Sequence, residues 1–178
     1  YHYFLNKDGY DSVHSYEINL NLANFVRNKL NLNNIYTNYD QIQNNQYDLI
    51  ISNQVIEHID NPLSHINTNI FDILKPKGYF CFTVPNFNSF NRILFGKKWL
   101  GYSPQEHIWF FTKASISNLF RNSNKFDLLS TDIYSAVGKP YDGYSPKSLI
   151  KFFAYNIIMK FNENIGNGDQ IITILQKK

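Results

Sequence analysis

The sequence predicts an α/β fold with an open, mainly parallel sheet, on two observations. Short apolar runs of strand length alternate with segments whose apolar residues recur at helical spacing. The run Tyr47–Ser52 is almost continuously apolar, which is typical of parallel strands with helices on both faces. Because strands that alternate with helices favour right-handed βαβ crossovers, we expect one doubly wound domain over all 178 residues.

The first elements have recognisable boundaries. We expect a strand at Ser12–Ile18 and a helix at Leu20–Leu30. Asn19 precedes that helix, and an asparagine in this position caps a helix by accepting hydrogen bonds from its first backbone N–H groups. A short strand at Ile35–Thr37 then leads to the buried strand Tyr47–Ser52.

The later elements follow the same alternation. A helix is expected at Leu63–Leu74, stopped by Pro76 and Gly78, before a strand at Tyr79–Val84. Further along, the sequence predicts a helix that Thr112 caps and that ends at Asn122, then a strand, a helix and a last strand, at Phe126–Tyr134, Pro146–Phe161 and Gln170–Gln176.

The alternation fails at about residues 86–111, which are rich in Phe, Trp and Gly. Structureless connections of about 25 residues are uncommon and are usually functional or disordered. Ligands of such sheets bind beyond the carboxyl ends of the strands. We therefore expect an insertion that covers the substrate, with aromatic side chains that could stack on a ring or a sugar face: Phe87, Phe90, Phe95, Trp99 and Tyr102.

Composition and charge exclude several classes. The formal net charge is only +3, and the basic residues are scattered, so nothing indicates a nucleic-acid partner. Cys81 is the single cysteine, which excludes a disulfide framework and favours a cytoplasmic protein. No run of about 18 apolar residues predicts a membrane span. The chain starts at Tyr1 rather than Met, and Tyr1–Lys7 lacks a helix-start signal, so we expect a fragment.

Two consecutive segments carry a recognisable pattern, YDLIISNQVIEHIDNP and ILKPKGYFCFTVPN. In order, spacing and residue type they resemble the class I S-adenosylmethionine-dependent methyltransferases. The resemblance is nearest to ubiquinone-biosynthesis O-methyltransferases and to sugar and small-molecule methyltransferases, and it covers roughly residues 1–126. The elements of the pattern are Asp48, Glu57-His58, Asp60-Pro62, Leu74-Lys75-Pro76-Gly78, Pro85-Asn86 and the later block PQEHIWFFTKASISNLF.

The resemblance implies a Rossmann-like doubly wound sheet whose last strand lies antiparallel between its neighbours, with the first βα unit largely missing. It also implies S-adenosylmethionine as cofactor and methyl transfer to a small molecule, such as a hydroxyl of a sugar or of a quinone-like or polyketide-like acceptor. Because the glycine-rich cofactor loop would precede Tyr1, we expect the chain as given to bind this cofactor poorly. The sequence does not indicate an oligomeric state.

Glu17 is the first candidate for cofactor binding, since it ends a predicted strand and precedes a helix. A carboxylate there can accept hydrogen bonds from both hydroxyls of a ribose. It also lies about twenty residues beyond the place expected for the glycine loop. By resemblance, Glu17 and Ile18 would contact the ribose of the cofactor, and Asn38 and Tyr39 its adenine. Asn53 and Gln54 would lie beside its methionine end.

The Glu57-His58 pair has three possible roles. In ubiquinone-pathway members an acid at the position of Gln54 joins the Glu-His pair in holding a divalent cation. Gln54 is neutral, so the resemblance does not predict a metal here. A structural role and a role in positioning the cofactor loop are the other two interpretations of the pair.

His107 is the candidate catalytic residue. Methyl transfer is an in-line displacement in which the protein aligns the reactants and removes the acceptor proton. Histidine is the usual base near neutral pH, and His107 lies between the insertion and the run Trp109–Phe111. The alternative is a structural histidine that hydrogen-bonds the backbone.

Two further functions stay open on the sequence alone. A methyltransferase-like binding module without activity would share all of these motifs. A nicotinamide-dependent oxidoreductase that modifies sugars would share the glycine loop and the ribose acid. Recovery of the upstream coding sequence would separate these alternatives best.

Overall fold

A computed structural model describes residues 12–99, 101–135 and 146–178. The predicted start in mid-element, Tyr1–Lys7, lies outside these residues. The chain divides into two units, Tyr1–Gln46 and Tyr47–Lys178. One domain over residues 1–178 therefore stays a prediction, and each unit is described by itself.

The first unit contains a two-stranded parallel sheet, formed by β1 (Ser15–Tyr16) and β2 (Ile35–Tyr36). Helix α1 (Leu20–Leu30) connects them and has the predicted bounds. The Asn19 side chain caps α1, as predicted, by accepting the N–H of Asn21 at 3.0 Å and of Leu22 at 3.1 Å.

The strands of this unit are shorter than the sequence predicts. Only two residue pairs join them, Ser15 with Ile35 and Tyr16 with Tyr36. The predicted bounds Ser12–Ile18 and Ile35–Thr37 are therefore wrong at their ends. Since each strand pairs on one side only within the described residues, few backbone bonds are available to extend it. The small core of the unit consists of Ala23, Leu32 and Ile35.

The second unit is built on a four-stranded sheet. Its strands are β3 (Tyr47–Asn53), β4 (Leu74–Pro85), β5 (Phe126–Tyr134) and β6 (Gln170–Lys177). The order is β3-β4-β6-β5, with β3 parallel to β4 and β6 antiparallel to both of its neighbours. This arrangement confirms the predicted α/β fold with its antiparallel last strand.

The core of the second unit lies on the two inner strands. Phe80 and Val84 of β4, with Ile171 and Leu175 of β6, have no exposed surface. Helices supply the covering apolar side chains, among them Ile66, Ile70, Ile116 and Phe120. Burial of large aliphatic and aromatic side chains at about 25 cal/mol per Å² is the main stabilising contribution to such a layer.

The expectation that helices bury both faces of β3 is wrong. Leu49 and Ile51 are 52% and 49% exposed, whereas Ile50 packs against the core. β3 is the edge strand of its sheet, and its side chains alternate between two faces. In the described residues only one of those faces is well covered.

The chain between β3 and β4 is a continuous helical stretch with a π-helical segment in the middle. Its parts are α2 (Pro62–His65), the π turn Ile66–Ile70 and α3 (Phe71–Ile73). The predicted helix Leu63–Leu74 is thus one residue out at each end. Pro62 begins the helix because its fixed φ suits the first position, and the side chain of Asn61 accepts the N–H of Ser64 at 3.0 Å.

Strand β4 begins at Leu74, five residues before the predicted Tyr79–Val84, and it ends at Pro85. The pairing of β4 with β3 shifts register between Tyr47 and Leu49. Pro76 and Gly78 fall within this irregularity, where a proline is tolerated because no regular ladder bond needs its nitrogen.

The predicted insertion contains ordered structure, with helix α4 (Phe90–Phe95) and a 3₁₀ turn at Gly96–Lys98. Helix α5 (Lys113–Phe120) ends two residues before the predicted Asn122, and α6 (Pro146–Asn164) ends three residues beyond the predicted Phe161. No helix within the described residues has the length and apolarity that a bilayer crossing demands.

The cap of α5 gives a first prediction. The Thr112 hydroxyl oxygen accepts the N–H of Ser115 at 3.1 Å, and the Ser115 hydroxyl oxygen accepts the N–H of Thr112 at 2.9 Å. Thr112→Ala should therefore lower the free energy of unfolding by about 0.5–2 kcal/mol in urea denaturation. Lys113→Ala is the control, because an exposed side chain contributes less than about 0.5 kcal/mol. Equal stability of the two variants would contradict the capping role.

Candidate functional site

Four of the residues predicted to bind the cofactor lie at one edge of the two-stranded sheet. Glu17 follows β1 and Asn38 follows β2, and the carboxyl ends of parallel strands meet at the same edge. A Glu17 carboxylate oxygen accepts the N–H of Asn19 at 2.8 Å. Ile18 is 77% exposed, so its side chain is available for contact with a ligand.

Asn38 and Tyr39 begin a 3₁₀ turn, Tyr39–Gln41. The Asn38 amide is used within this turn, because its oxygen accepts the N–H of Asp40 and its nitrogen donates to the Asp40 carboxylate, both at 3.1 Å. The Tyr39 ring stacks on Tyr16 with the centroids 4.2 Å apart. Burial, with a smaller effect of Tyr16, raises the pKa of Tyr39 to about 12, so this phenol stays neutral.

Asn53 and Gln54 lie at the carboxyl end of β3, in the second unit. Gln54 has a φ of 54°, a left-handed conformation that is uncommon for residues other than glycine. Its side-chain nitrogen donates to Gln170 at 2.7 Å, and its backbone N–H donates to the carbonyl of Thr83 at 3.0 Å. The Thr83 hydroxyl donates to the side chain of Asn53. Backbone strain held by several contacts is often found at functional sites.

Three titratable side chains form a cluster, and two of them follow Gln54 by a few residues in the sequence. Glu57 and His58 belong to the 3₁₀ turn Ile56–His58, and His107 comes from the loop before α5. One candidate ligand atom from each of the three lies within 4.8 Å of the other two. The two imidazole rings meet edge to face, with their centroids 4.8 Å apart.

Backbone hydrogen bonds hold the loop of His107 on this turn. The N–H groups of Ile108 and Trp109 both donate to the carbonyl of Glu57, at 2.9 and 3.1 Å. The indole N–H of Trp109 donates to the carbonyl of Ile59 at 3.0 Å. His107 therefore lies beside the end of β3, although about fifty residues separate it from His58 in the sequence.

Backbone carbonyls orient both imidazoles. Nδ1 of His58 lies 2.8 Å from the carbonyl oxygen of Glu106, and Nδ1 of His107 lies 3.0 Å from that of Gly101. A carbonyl oxygen can only accept, so Nδ1 carries the proton in each ring. In the neutral form Nε2 then has a free lone pair, which can accept a proton or bind a metal.

Glu57 is the least expected member of the cluster. It has no exposed surface, and neither of its carboxylate oxygens has a hydrogen-bond partner among the described residues. Burial raises the pKa of the Glu57 carboxyl above its usual value, and the neighbouring His58 and His107 act in the opposite direction. A buried carboxyl without a partner reduces stability unless something else compensates for it.

Aromatic side chains line the loop around His107. The ring of Phe110 contacts Phe87 and Tyr102, with centroid distances of 5.1 and 5.6 Å. Trp99 is only 7% exposed and packs on Gly101, where an added Cβ would lie 2.3 Å from its ring. The expectation that Trp99 offers a face for stacking is therefore wrong for this arrangement.

The residues predicted to bind the cofactor thus lie at strand ends, whereas the sequence does not predict that Glu57, His58 and His107 meet. It leaves the Glu57-His58 pair with three interpretations, of which the neutral Gln54 disfavours the metal, and it predicts His107 separately as the catalytic residue. The sequence contains these residues in two separate motifs, the Glu-His pair and the later block that begins at Pro104, and no local pattern shows that the two motifs meet.

Replacement of Glu57 tests how much its buried carboxyl lowers the stability of the folded protein. A carboxyl whose pKa is raised by folding favours the folded state while protonated, and this benefit is lost as the pH rises from 4.5 through the raised pKa. Glu57→Gln should therefore raise the melting temperature at pH 7 by about 2–4 °C, which corresponds to about 1 kcal/mol in the free energy of unfolding. The protein is treated with a chelator first, so that no metal ion can pair with the carboxylate. The gain should shrink at pH 4. The control is Glu106→Gln, an exposed acid on the same loop, with no change expected. Destabilisation by Glu57→Gln at pH 7 would mean that the carboxylate has a partner in the folded protein.

Comparisons with known proteins agree with this architecture. The sequence profile of a methyltransferase domain family matches residues 3–130. No curated protein sequence matches the chain. Among solved structures, a SAM-dependent methyltransferase from Archaeoglobus fulgidus is similar with a TM-score of 0.62 at 15% identity, over 98% of this chain and 79% of that one.

Two further structures are similar. An S-adenosylmethionine-dependent methyltransferase from Mesorhizobium loti gives a TM-score of 0.61 at 14% identity, over 97% of this chain and 83% of that one. The [4+2]-cyclase SpnF gives a TM-score of 0.54 at 13% identity, over 94% of this chain and 68% of that one. Identities this low show the fold alone, as the cyclase illustrates. The family profile, however, covers more than half of the sequence, so the chain belongs to the methyltransferase domain family.

Proposed function

We propose that the protein transfers a methyl group from S-adenosylmethionine to a hydroxyl of a small molecule, such as a sugar or a quinone-like or polyketide-like acceptor. The observation that carries the proposal is the position of His107. The hydrogen bonds from Ile108 and Trp109 to the carbonyl of Glu57 hold the loop of His107 on the turn that follows Gln54, at the carboxyl end of β3. Ligands of open α/β sheets bind at this end of the strands.

Two groups of residues support cofactor binding. In the first unit, Glu17 and Ile18 would meet the ribose, and Asn38 and Tyr39 the adenine. Tyr39 remains a neutral aromatic surface, which suits contact with a base. In the second unit, Asn53 and Gln54 would lie beside the methionine end of the cofactor, and the bonds to Thr83 and Gln170 hold them rigidly.

His107 would act on the acceptor. A hydroxyl becomes a good nucleophile only when its proton is removed, and the free lone pair on Nε2 of His107 can take that proton. Displacement at the sulfonium methyl then breaks the S–CH₃ bond and forms the O–CH₃ bond. The ring is half-buried and lies near Phe110, which in turn stacks on Tyr102, and this supports an acceptor with a flat or apolar portion.

The setting proposed for this reaction is the cytoplasm. Cys81 is the single cysteine of the sequence, and it is a free thiol. Proteins that work in reducing compartments lack structural disulfides.

Glu17→Ala tests the cofactor site in the full-length protein. It removes a charged acceptor from two hydroxyls, at about 1.5–3 kcal/mol for each hydrogen bond, so cofactor affinity should fall at least about tenfold by calorimetry. Glu17→Gln keeps an oxygen for the N–H of Asn19 and should be intermediate. Asp132→Ala, at an exposed acid on β5, is the control and should bind normally. An unaltered dissociation constant in Glu17→Ala would move the ribose site elsewhere.

His107→Ala tests the acceptor site. If the imidazole removes the acceptor proton, turnover should fall by about 10²–10⁴ while the dissociation constant of the cofactor stays the same. The matched control is His65→Asn, which removes a half-buried histidine from α2, outside the cluster. A fully active His107→Ala enzyme would show that the base is another residue. Loss of cofactor binding alone would favour a structural role for His107.

A further inference from the structure

We infer that Glu57, His58 and His107 form a binding site for one divalent transition-metal ion of the Zn²⁺ type. The inference deepens the proposed function and rests on it, because the ion would lie where the acceptor hydroxyl is expected. On the sequence alone, a metal is one of three interpretations of the Glu57-His58 pair, and the neutral Gln54 disfavours it.

The distances among the three side chains are those of a site before metal binding. One candidate ligand atom from each residue lies within 4.8 Å of the other two. Ligands at about 2.0–2.2 Å from a tetrahedral or octahedral ion are about 3–3.5 Å apart. His58 is exposed, so small side-chain rotations can close the remaining gap, and an ion can enter from solvent on its side.

The carboxylate of Glu57 supplies an independent argument. It is fully buried, neither oxygen has a hydrogen-bond partner among the described residues, and it lies beside two histidines. Buried charges in folded proteins are paired or coordinate a metal. A divalent cation would neutralise the carboxylate and satisfy its oxygens, whereas neutral imidazoles with an unprotonated Nε2 cannot donate to it from that nitrogen.

The imidazoles have the arrangement found in metal sites. Each ring donates its Nδ1–H to a backbone carbonyl, that of Glu106 for His58 and that of Gly101 for His107. Such outer hydrogen bonds fix the tautomer, orient the ring and increase the basicity of the other nitrogen. With Nδ1 of both rings occupied in this way, Nε2 is the nitrogen of each ring that can bind a metal, and the two rings lie beside the buried carboxylate.

Gln54 is neutral, and its amide is held by contacts of its own. Its amide nitrogen donates to Gln170 at 2.7 Å and lies 3.3 Å from the hydroxyl of Thr83. His107 would therefore be the third ligand, in place of an acid at the position of Gln54. The set becomes two imidazoles and one carboxylate, which favours Zn²⁺ and similar ions over Mg²⁺, an ion that prefers oxygen ligands.

Three protein ligands leave at least one coordination position open. An ion with an open position polarises a bound oxygen and lowers the pKa of a hydroxyl or water. In the ion-bound protein His107 would be a ligand instead of the direct base, and the proton of the acceptor hydroxyl would pass to solvent water on the exposed side of the cluster, at His58.

Metal binding can be measured without any assay of methyl transfer. Tag-free, chelator-treated protein is titrated with Zn²⁺ by calorimetry, and with Co²⁺ by its visible absorption, which reports nitrogen and oxygen ligands. We expect one site per chain, and about tenfold or greater weakening in His107→Ala and in His58→Gln. His58 is exposed, so its replacement should leave the protein folded. His65→Asn should bind as the wild type does, and millimolar Mg²⁺ should not compete.

Each outcome decides the inference. Absence of a stoichiometric Zn²⁺ site in the folded wild type, or equal binding by the wild type and both cluster variants, would overturn it. Full displacement of Zn²⁺ by Mg²⁺ would overturn the choice of ion. If the wild type transfers methyl groups equally well with and without chelator and binds no Zn²⁺, the proposed function stands and the cation inference alone fails. If Zn²⁺ binds as described but the full-length protein does not bind S-adenosylmethionine, the proposed function fails instead.

Discussion

The carbonyl oxygen of Glu57 accepts two backbone N–H groups, from Ile108 and Trp109, and the rest of the site depends on this shared acceptor. The two bonds fasten the loop before α5 to the turn after β3. They place His107 against His58, in the cluster that contains the fully buried Glu57 side chain. Backbone bonds of this kind do not depend on which side chains the loop carries. One residue thus positions the loop through its main chain and supplies the charge of the cluster through its side chain.

The site combines two local departures from the usual rules of folded structure. Gln54 adopts a left-handed conformation without being a glycine, and Glu57 buries a carboxylate without a hydrogen-bond partner in the described residues. Elsewhere in the second unit, fully buried positions such as Phe80 and Leu175 carry apolar side chains of ordinary kind. Local departures that the surrounding structure supports are expected where a protein binds or reacts with a ligand.

Local signals in the sequence predicted much of the fold. The bounds of Leu20–Leu30 and Phe126–Tyr134 were correct, because apolar periodicity and a cap or a turn marked both ends. The start of β4 was missed because a proline and a glycine usually end regular structure, and only the register of its partner strand shows that β4 tolerates them. The exposure of Leu49 was missed because the sequence does not reveal which strand lies at an edge.

The candidate site was predictable only in pieces. The motif around Glu57 and the motif around His107 were both recognised, yet they are separated by a helix, a strand and the insertion. Their meeting depends on tertiary hydrogen bonds, which no local pattern encodes. The burial of Glu57 was equally hard to predict, because a Glu-His pair is expected to be exposed to solvent unless another part of the chain covers it. The roles of the individual residues stay predictions.

The position of β6 has a consequence for biosynthesis. The strand that the ribosome makes last of the four lies inside the sheet, between β4 and β5, and it supplies the fully buried Ile171 and Leu175. Until it emerges, the nascent chain holds β5 with no strand partner in this sheet and β4 with one open edge. Unpaired apolar edges invite intermolecular association. The final step in the folding of this unit therefore waits for β6, and the emerging chain is a candidate client for chaperones that shield open strands.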